Sequence, residues 1–444
     1  MTLGCPKNEI DSEGLGGLLQ AAGHDVVEQP ERADVVVVNT CGFIDPARRE
    51  TVQETLELAD LKQTSGLKAL LLTGCLVARS ASELAEALPE VDALVDFAAY
   101  PRIATIVEQA AAGALTERVH GRPGTRFDPA YWDAALAGGP RVRFGRAPWA
   151  YVKIAEGCDR GCAFCAIPLM RGRFRSRPSA TIEAEVRHLA ELGVGEFSLV
   201  SQDSVFWGRD TGEGGLSDLL ARLERVDGVR RLRLMYLHPQ GVTEELIERV
   251  LTSEKICSYF DLSLQHVSRR VLTAMGRPGD RARFEGLIDR IRASEPLAGL
   301  RATFILGFPG ESDADAAEVE DFVAGAGLDH VGVFTYSPEE GTRGAALPDQ
   351  VPEVIARART ERVAAAAEIA MAERAASLRG CVFKVLCERY DPASSLWYGR
   401  SHREAPEVDG VISFSAPEGT RVGDLLEVVI TGSEGADLSG HALS

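Results

Sequence analysis

The stretch Glu156–Pro168 reads EGCDRGCAFCAIP. It places Cys158, Cys162 and Cys165 within eight residues, at C-x3-C-x2-C spacing. It follows directly on WAYVKIA (149–155), an apolar and aromatic run that reads as a strand. The loop leaving such a strand is where β/α folds carry their ligand chemistry. Three thiols on one short loop suit one side of an iron–sulfur cube, whose four irons are ordinarily held by four thiolates. With three, one iron stays free for another ligand, as a catalytic zinc keeps an open position. A three-thiol zinc site and a chance grouping are the alternative readings. A zinc knuckle more often shows C-x2-C pairs.

Outward from this loop, strand and helix patterns alternate. Five further strands are expected at 196–202, 231–237, 259–265, 300–307 and 330–336, with helices between them and a long one at 351–377. Six β-α units predict a parallel barrel or partial barrel over 148–377. Upstream, ADVVVVNT (33–40), KALLLTG (68–74) and VDALVDF (91–97) alternate with helical patterns, one of them opening on Asp45 as N-cap and Pro46 as first helical residue. This predicts a small open α/β domain over 1–115. A strand is expected ahead of Gly4, yet only Met1 to Leu3 stand there, which leaves open whether the native chain begins upstream of Met1. Residues 116–147 are rich in Gly, Pro and Arg without a clean period and read as a linker, with Tyr131–Trp132 as a packed anchor. From 378 to 444 the pattern turns to hairpins at 381–390, 396–401, 408–414 and 424–432, a small antiparallel barrel. The fold class is therefore α/β multidomain.

At 444 residues the chain exceeds one ordinary core. No apolar run approaches the ~20 residues of a membrane span, and the first residues lack the charged and apolar regions of a secretory signal. A cytoplasmic protein with no membrane partner is expected. Nine cysteines in a reduced protein argue for metal or catalysis rather than disulfides. A net charge of −18 disfavours DNA or other nucleic acid as a partner and favours a basic one.

Cys5 in LGCPKN, Cys41 in NTCGFI and Cys75 in TGCLVAR each follow the end of an expected strand. In an open α/β sheet such ends share one edge, so the three thiols can converge; small buried core residues are the other reading. Cys257, Cys381 and Cys387 read as core. In TFILGFPGES (303–312), Gly307 and Gly310 permit close backbone approach to a ligand, or simply form a β-α turn. Gln202 and Asp203 leave the second barrel strand as possible ribose or substrate contacts. His238 and His266 end strands and are either pocket or structural residues. The four arginines of RGRFRSR (171–177) are either a solvated loop or a dock for an anionic group.

The C-x3-C-x2-C loop, with Phe164 before its third cysteine, after the first strand of a six-unit barrel, resembles the radical S-adenosylmethionine superfamily. The resemblance implies a [4Fe–4S] cluster on Cys158, Cys162 and Cys165 whose free iron chelates S-adenosylmethionine, with Phe164, Gln202, Gly307 and Gly310 near the cofactor. It also places Gly195 and Glu196 in the family's Gly-Gly-Glu stretch, although Val194 replaces the first glycine. The LGCPKN…NTCGFI…TGCLVAR series is similar to the N-terminal domain of the methylthiotransferases, which implies a second [4Fe–4S] cluster on Cys5, Cys41 and Cys75. The C-terminal barrel is similar to a TRAM domain, so the resemblance spans essentially the whole chain.

Two branches of that family differ in substrate. The tRNA-adenosine branch usually has Gln-Met-Asn after its first cysteine; this chain has Pro6-Lys7-Asn8. YGRSHREAPEVDG (398–410) is also similar to the ribosomal-protein branch. That resemblance implies methylthiolation of an aspartate β-carbon in small-subunit ribosomal protein S-twelve, with an electron donor such as flavodoxin or ferredoxin. No catalytic side chain is assigned. From Arg379 to Ser444 there are 6 Lys and Arg against 10 Asp and Glu, a balance of −4. An RNA-gripping module should be basic, whereas Glu404, Glu407 and Asp409 are expected to form an acidic surface for a basic protein. The rivals are tRNA modification and a non-catalytic iron–sulfur redox protein; the latter would be expected to show four ligands per cluster.

Overall fold

The computed structural model describes residues 1–121 and 141–443; the Tyr131–Trp132 anchor expected in the linker lies outside them. The N-terminal region is a parallel sheet of β1 (Val35–Thr40), β2 (Ala69–Gly74), β3 (Ala93–Val95) and β4 (Val119–His120), in that order. Residues 1–3 add to the free side of β1 through a parallel Thr2–Asn39 bridge, so the strand expected before Gly4 is present in short form. Helices Pro6–Ala21, Asp45–Ala59, Cys75–Ala87 and Ile103–Ala111 accompany the sheet. The continuous apolar runs of β1 and β2 follow from burial on both faces. Leu71 joins one core with Leu15, Val95 and Ile106; its neighbours Leu70 and Leu72 point the other way, into a core with Val36, Val38 and Leu84. Asp45 is itself the first helical residue, with extended Ile44 as the N-cap, one position earlier than the Asp-Pro pair suggested.

The central region is built on six parallel strands: β5 (Trp149–Lys153), β8 (Glu196–Val200), β9 (Arg231–Leu234), β10 (Tyr259–Gln265), β11 (Gly299–Leu306) and β12 (His330–Thr335). β5-β8-β9 and β10-β11-β12 form two ladders. Isolated parallel bridges, Leu232–Ile256 and Leu237–Leu262, join them. This is a partial barrel, opened between its first and last strands. A short antiparallel ribbon, β6 (Ala155–Glu156) with β7 (Arg175–Ser176), brackets the cysteine loop at the barrel mouth.

At the C-terminus, β13 (Val382–Asp391), β14 (Leu396–Arg400), β15 (Ile412–Ser415), β16 (Leu425–Glu434) and β17 (Asp437–Ala442) close into a barrel in the order β13-β14-β15-β17-β16. The β14–β15 connection plugs the end of the central barrel opposite the cysteine loop. Arg233 donates to the carbonyls of His402 at 2.7 Å and Ser401 at 3.0 Å. Asp409 accepts from Tyr259 Oη at 2.6 Å and Arg301 Nε at 3.1 Å, and Arg403 pairs with Asp329. This corrects the acidic-surface expectation. Glu404 is 3 % exposed and accepts from the Ser401 backbone and hydroxyl at 2.8 and 2.7 Å. Asp409 is equally enclosed, and only Glu407 of the three is exposed. Asp409 ties the connection to the central barrel, while Glu404 closes a turn within the connection itself.

Candidate functional site

The barrel mouth carries the first triad. Glu156 ends β6, Gly157 turns the chain, and Cys158, Cys162 and Cys165 follow. The loop is pinned by backbone hydrogen bonds from Cys158 N to Gly172 O (3.2 Å), Ala163 N to Met275 O (2.8 Å) and Gly344 N to Ala163 O (2.7 Å). Phe164 packs half-buried against the mouth cluster of Ala163, Val271, Met275 and Phe308. The buried guanidinium of Arg277 donates to Cys162 Sγ at 3.5 Å.

The second triad gathers at one sheet edge, as the strand exits imply. Cys5 caps helix Pro6–Ala21, Cys41 follows β1, and Cys75 follows β2 as the first residue of its helix. Gly74 has φ +96°, and a Cβ there would collide with Asn39, so only glycine lets the chain turn into Cys75. Asn8 donates to the carbonyls of Leu3 (2.8 Å) and Thr40 (3.1 Å), tying the Cys5 and Cys41 loops together. Burial raises the Cys41 thiol and pushes Cys75 and Cys165 up to about 12 and Cys158 to about 11. Without metal these thiols keep their protons at neutral pH, so metal binding must displace protons.

Arg171 ties the second triad to the start of the loop that carries the first. Its side chain is 2 % exposed. Nε donates to Cys75 Sγ at 3.1 Å, Nη2 to Asn8 Oδ1 at 2.7 Å, and Nη1 to Asp11 Oδ2 at 2.6 Å and Glu156 Oε2 at 3.2 Å. Lys153, at the end of β5, pairs with the same two carboxylates at 2.5 and 2.7 Å. Gln202 donates to Glu156 Oε1 at 2.8 Å. Burial alone would raise the Glu156 carboxyl; Lys153 and Arg171 outweigh it and hold it down to about 2. Ala166 and Met170, just after Cys165, share an apolar cluster with Cys75 and Ala78. The Cys75 side of the N-terminal sheet therefore packs on the segment that follows Cys165, through a seam of buried, compensated charge. Lys7 completes this side: its ammonium lies 3.4 Å from the centroid of the Tyr236 ring, at the exit of β9.

Other expectations resolve differently. Gly195 and Glu196 do not line the mouth. Glu196 opens β8, at the plugged end, fully buried, with Arg400 at 2.8 Å, Arg233 at 3.1 Å and Arg231 at 3.6 Å; Gly195 N bonds to Pro148 O at 2.8 Å beside it. The exit of that strand is Ser201-Gln202-Asp203, and Asp203 pairs with Arg160 at 2.5 Å. Gly307 serves packing: a Cβ would collide with Ala356 of helix Glu353–Ala376. Gly310 at φ +78° has only Arg270 near, at 3.8 Å, so the space beside it is open. The arginines of 171–177 divide: Arg173 and Arg175 are exposed, while Arg177 is buried, donating to Lys153 O at 2.5 Å and Glu185 at 2.7 Å. His238 is buried, and burial with Arg277 and Arg160 lowers it to about 2, so it is neutral. His266 is fully enclosed and its Nδ1 accepts from the Val267 and Ser268 amides, both at 3.0 Å. Cys257 and Cys387 are core residues in separate clusters, as expected, and Cys381 packs half-buried against that of Cys387. Asp11 and Lys153 carried no prediction, although a lysine inside the apolar run WAYVKIA was a usable signal, and Arg171 stood only as one of the four arginines of 171–177.

Among the described residues, no three His, Cys, Asp or Glu side chains form a group that could hold a single metal ion. Each triad is all sulfur, a donor set suited to an iron–sulfur cluster.

Relatives identify the assembly. Residues 1–96 match the uncharacterized protein family UPF0004, 152–323 the radical SAM superfamily and 380–443 the TRAM domain. The ribosomal protein uS12 methylthiotransferase RimO of Streptomyces avermitilis is 42% identical over 475 residues, covering 100% of this chain and 96% of its own. Its counterpart from Symbiobacterium thermophilum is 42% identical over 447 residues, covering 100% and 90%. The chain belongs to the RimO family. RimO proteins are radical S-adenosylmethionine methylthiotransferases, and that superfamily uses a [4Fe–4S] cluster with S-adenosylmethionine. The RimO-type fold is similar to that of the radical S-adenosylmethionine methyltransferase TsrM from Kitasatospora setae, with a TM-score of 0.54, 16% identity and 73% of each chain covered. A second TsrM structure, with tryptophan and a cofactor analogue bound, gives 0.52 at 17% identity, covering 72% of this chain and 69% of that one.

Proposed function

We propose that this protein inserts a methylthio group at the β-carbon of an aspartate in ribosomal protein uS12. The observation that supports the reading is Arg171, which touches Cys75 of one thiol triad and Glu156 at the start of the loop bearing the other. Family membership at 42% identity over the full chain supports the substrate. In this reading Cys158, Cys162 and Cys165 would hold one [4Fe–4S] cluster and Cys5, Cys41 and Cys75 a second. When bound, the clusters and S-adenosylmethionine supply the radical that opens an unactivated C–H bond and the sulfur and methyl that replace the hydrogen. The chain's own residues hold and insulate. Arg171 and Arg277 donate to thiol sulfurs, which tunes a bound cluster. Gln202 and Phe164 line the cofactor side of the mouth. Asp11, Glu156, Lys153 and Arg171 satisfy one another, so the seam excludes water without leaving a bare charge.

The proposed division is a cluster domain at 1–115, a linker at 116–147, a radical barrel at 148–377 and a TRAM-like barrel at 378–444. The overall charge of −18 suits a basic ribosomal protein. The reading includes action in the cytoplasm with a flavodoxin- or ferredoxin-type reductant. Among the described residues no helix is long and apolar enough to cross a membrane.

The test offers anaerobically reconstituted protein both uS12 and unmodified tRNA, with S-adenosylmethionine, a sulfide source and reductant. One methylthio group is expected on uS12; a gain on tRNA alone refutes the assignment. The protein should hold about eight irons, and replacing either triad by alanine should leave about four.

A further inference from the structure

Lys7 is a buried cation facing an aromatic ring rather than an anion. Its side chain is 7 % exposed, and its ammonium sits over Tyr236. Among the described residues no carboxylate pairs with it. Glu156, the one carboxylate that acts on it through space, is committed elsewhere, to Lys153, Arg171 and Gln202. Lys153, just as buried, has two carboxylates; Lys7 has none. Burial disfavours a bare ammonium, and here the Tyr236 ring stands against it where Lys153 has carboxylates.

The ring beneath it is also held at a cost. Tyr236 has φ +59°, in the left-handed region that a bulky residue seldom adopts. Its backbone N–H donates to Asp261 Oδ2 at 2.8 Å, and its carbonyl accepts from Ser204 N at 3.2 Å. Strain of this kind persists where the surroundings impose it, commonly at functional sites. Lys7 lies two residues past Cys5 and reaches the mouth of the barrel that carries the other triad. An anion entering between the triads would meet it.

We propose that Lys7 receives the carboxylate of the substrate side chain and so positions the neighbouring C–H bond. This rests on the reading of an aspartate in uS12 as substrate. Lys7 is then a specificity residue: an amide in place of the carboxylate would forfeit a charge-assisted hydrogen bond made away from water.

The experiment measures binding of labelled uS12 to reconstituted holoprotein, with the acceptor aspartate intact or changed to asparagine. Wild type should bind the aspartate form about tenfold or more tightly than the asparagine form. Lys7→Met should bind both forms alike, near the wild-type affinity for asparagine, and Lys7→Arg should recover part of the preference. Iron and sulfide content should match wild type in both variants. Retention of the aspartate preference by Lys7→Met overturns the proposal. So does loss of iron in both variants, which would make Lys7 a support for the thiol triad. If wild type leaves the mass of uS12 unchanged, the functional reading fails and takes this assignment with it; that result appears in the wild-type arm alone.

Discussion

Replacing Glu196 by alanine separates a cofactor role from a structural one. The carboxylate is fully buried and faces Arg400, Arg233 and Arg231, the first from the C-terminal barrel and the others from β9. Burial by itself would raise its pKa. The three guanidiniums, Arg400 foremost, outweigh this and bring it from 4.5 down to about 2. That drop is equivalent to about 3 kcal/mol favouring the ionised form in the folded protein. Removing one partner from a buried ionic group costs about 3–5 kcal/mol, because the other charges stay buried and uncompensated. The two figures agree in scale. Glu196→Ala should therefore lower the thermal midpoint by about 5–10 °C, read by scanning calorimetry. The pH dependence has a defined sign. The folded pKa lies below the unfolded one, so the contribution is complete above about pH 4.5 and is lost as pH falls towards about 2. Wild type should lose stability across that window, and the variant should lose less. Reductive cleavage of S-adenosylmethionine per folded molecule should persist, since Glu196 sits at the plugged end. A variant with an unchanged midpoint but no cleavage would refute this reasoning and return Glu196 to the cofactor.

Arg171→Met removes a hydrogen bond and a positive charge from Cys75, so the reduction potential of a cluster on that triad should fall; protein-film voltammetry showing no change would refute the contact's role. Arg171→Lys should fall between the two. Gly307→Ala should destabilise by at least about 1–3 kcal/mol, since φ is +83° and a Cβ would strike Ala356; denaturant unfolding showing less than ~0.5 kcal/mol would mean that the helix yields.

What could be read in the sequence was local. The cysteine loop spans eight residues, and the strands β1, β2 and β5 are runs of Val, Leu and aromatic residues whose burial on both faces is written into composition. β17 escaped because DLSGHA has no β-branched residue; it forms by closing the barrel between β15 and β16, a long-range event. Arg171 reaches partners 96 and 163 positions away, and its neighbours Arg173 and Arg175 are in fact exposed, so periodicity could not single it out. Glu196 shows the opposite failure. A motif-like similarity suggested the residue, but Glu196 starts its strand, and in a parallel barrel the ligand end is the other one. Strand direction was legible and should have outweighed the similarity.

The same distinction between ends accounts for the charge distribution. At the plugged end, buried acids and arginines interlock, Glu196 and Asp329 each meeting three guanidiniums, because that end packs two barrels together. Glu404 and Asp409 looked like a surface only because a count of charges carries no information on their partners. At the mouth, compensation is complete around Glu156 and Asp11 but stops at Lys7. Lys153 and Arg171 meet carboxylates where Lys7 meets an aromatic ring, and a cation over a strained tyrosine is not poor packing. The seam is complete only when something anionic enters, and the side on which it lacks a partner is the side the substrate must approach.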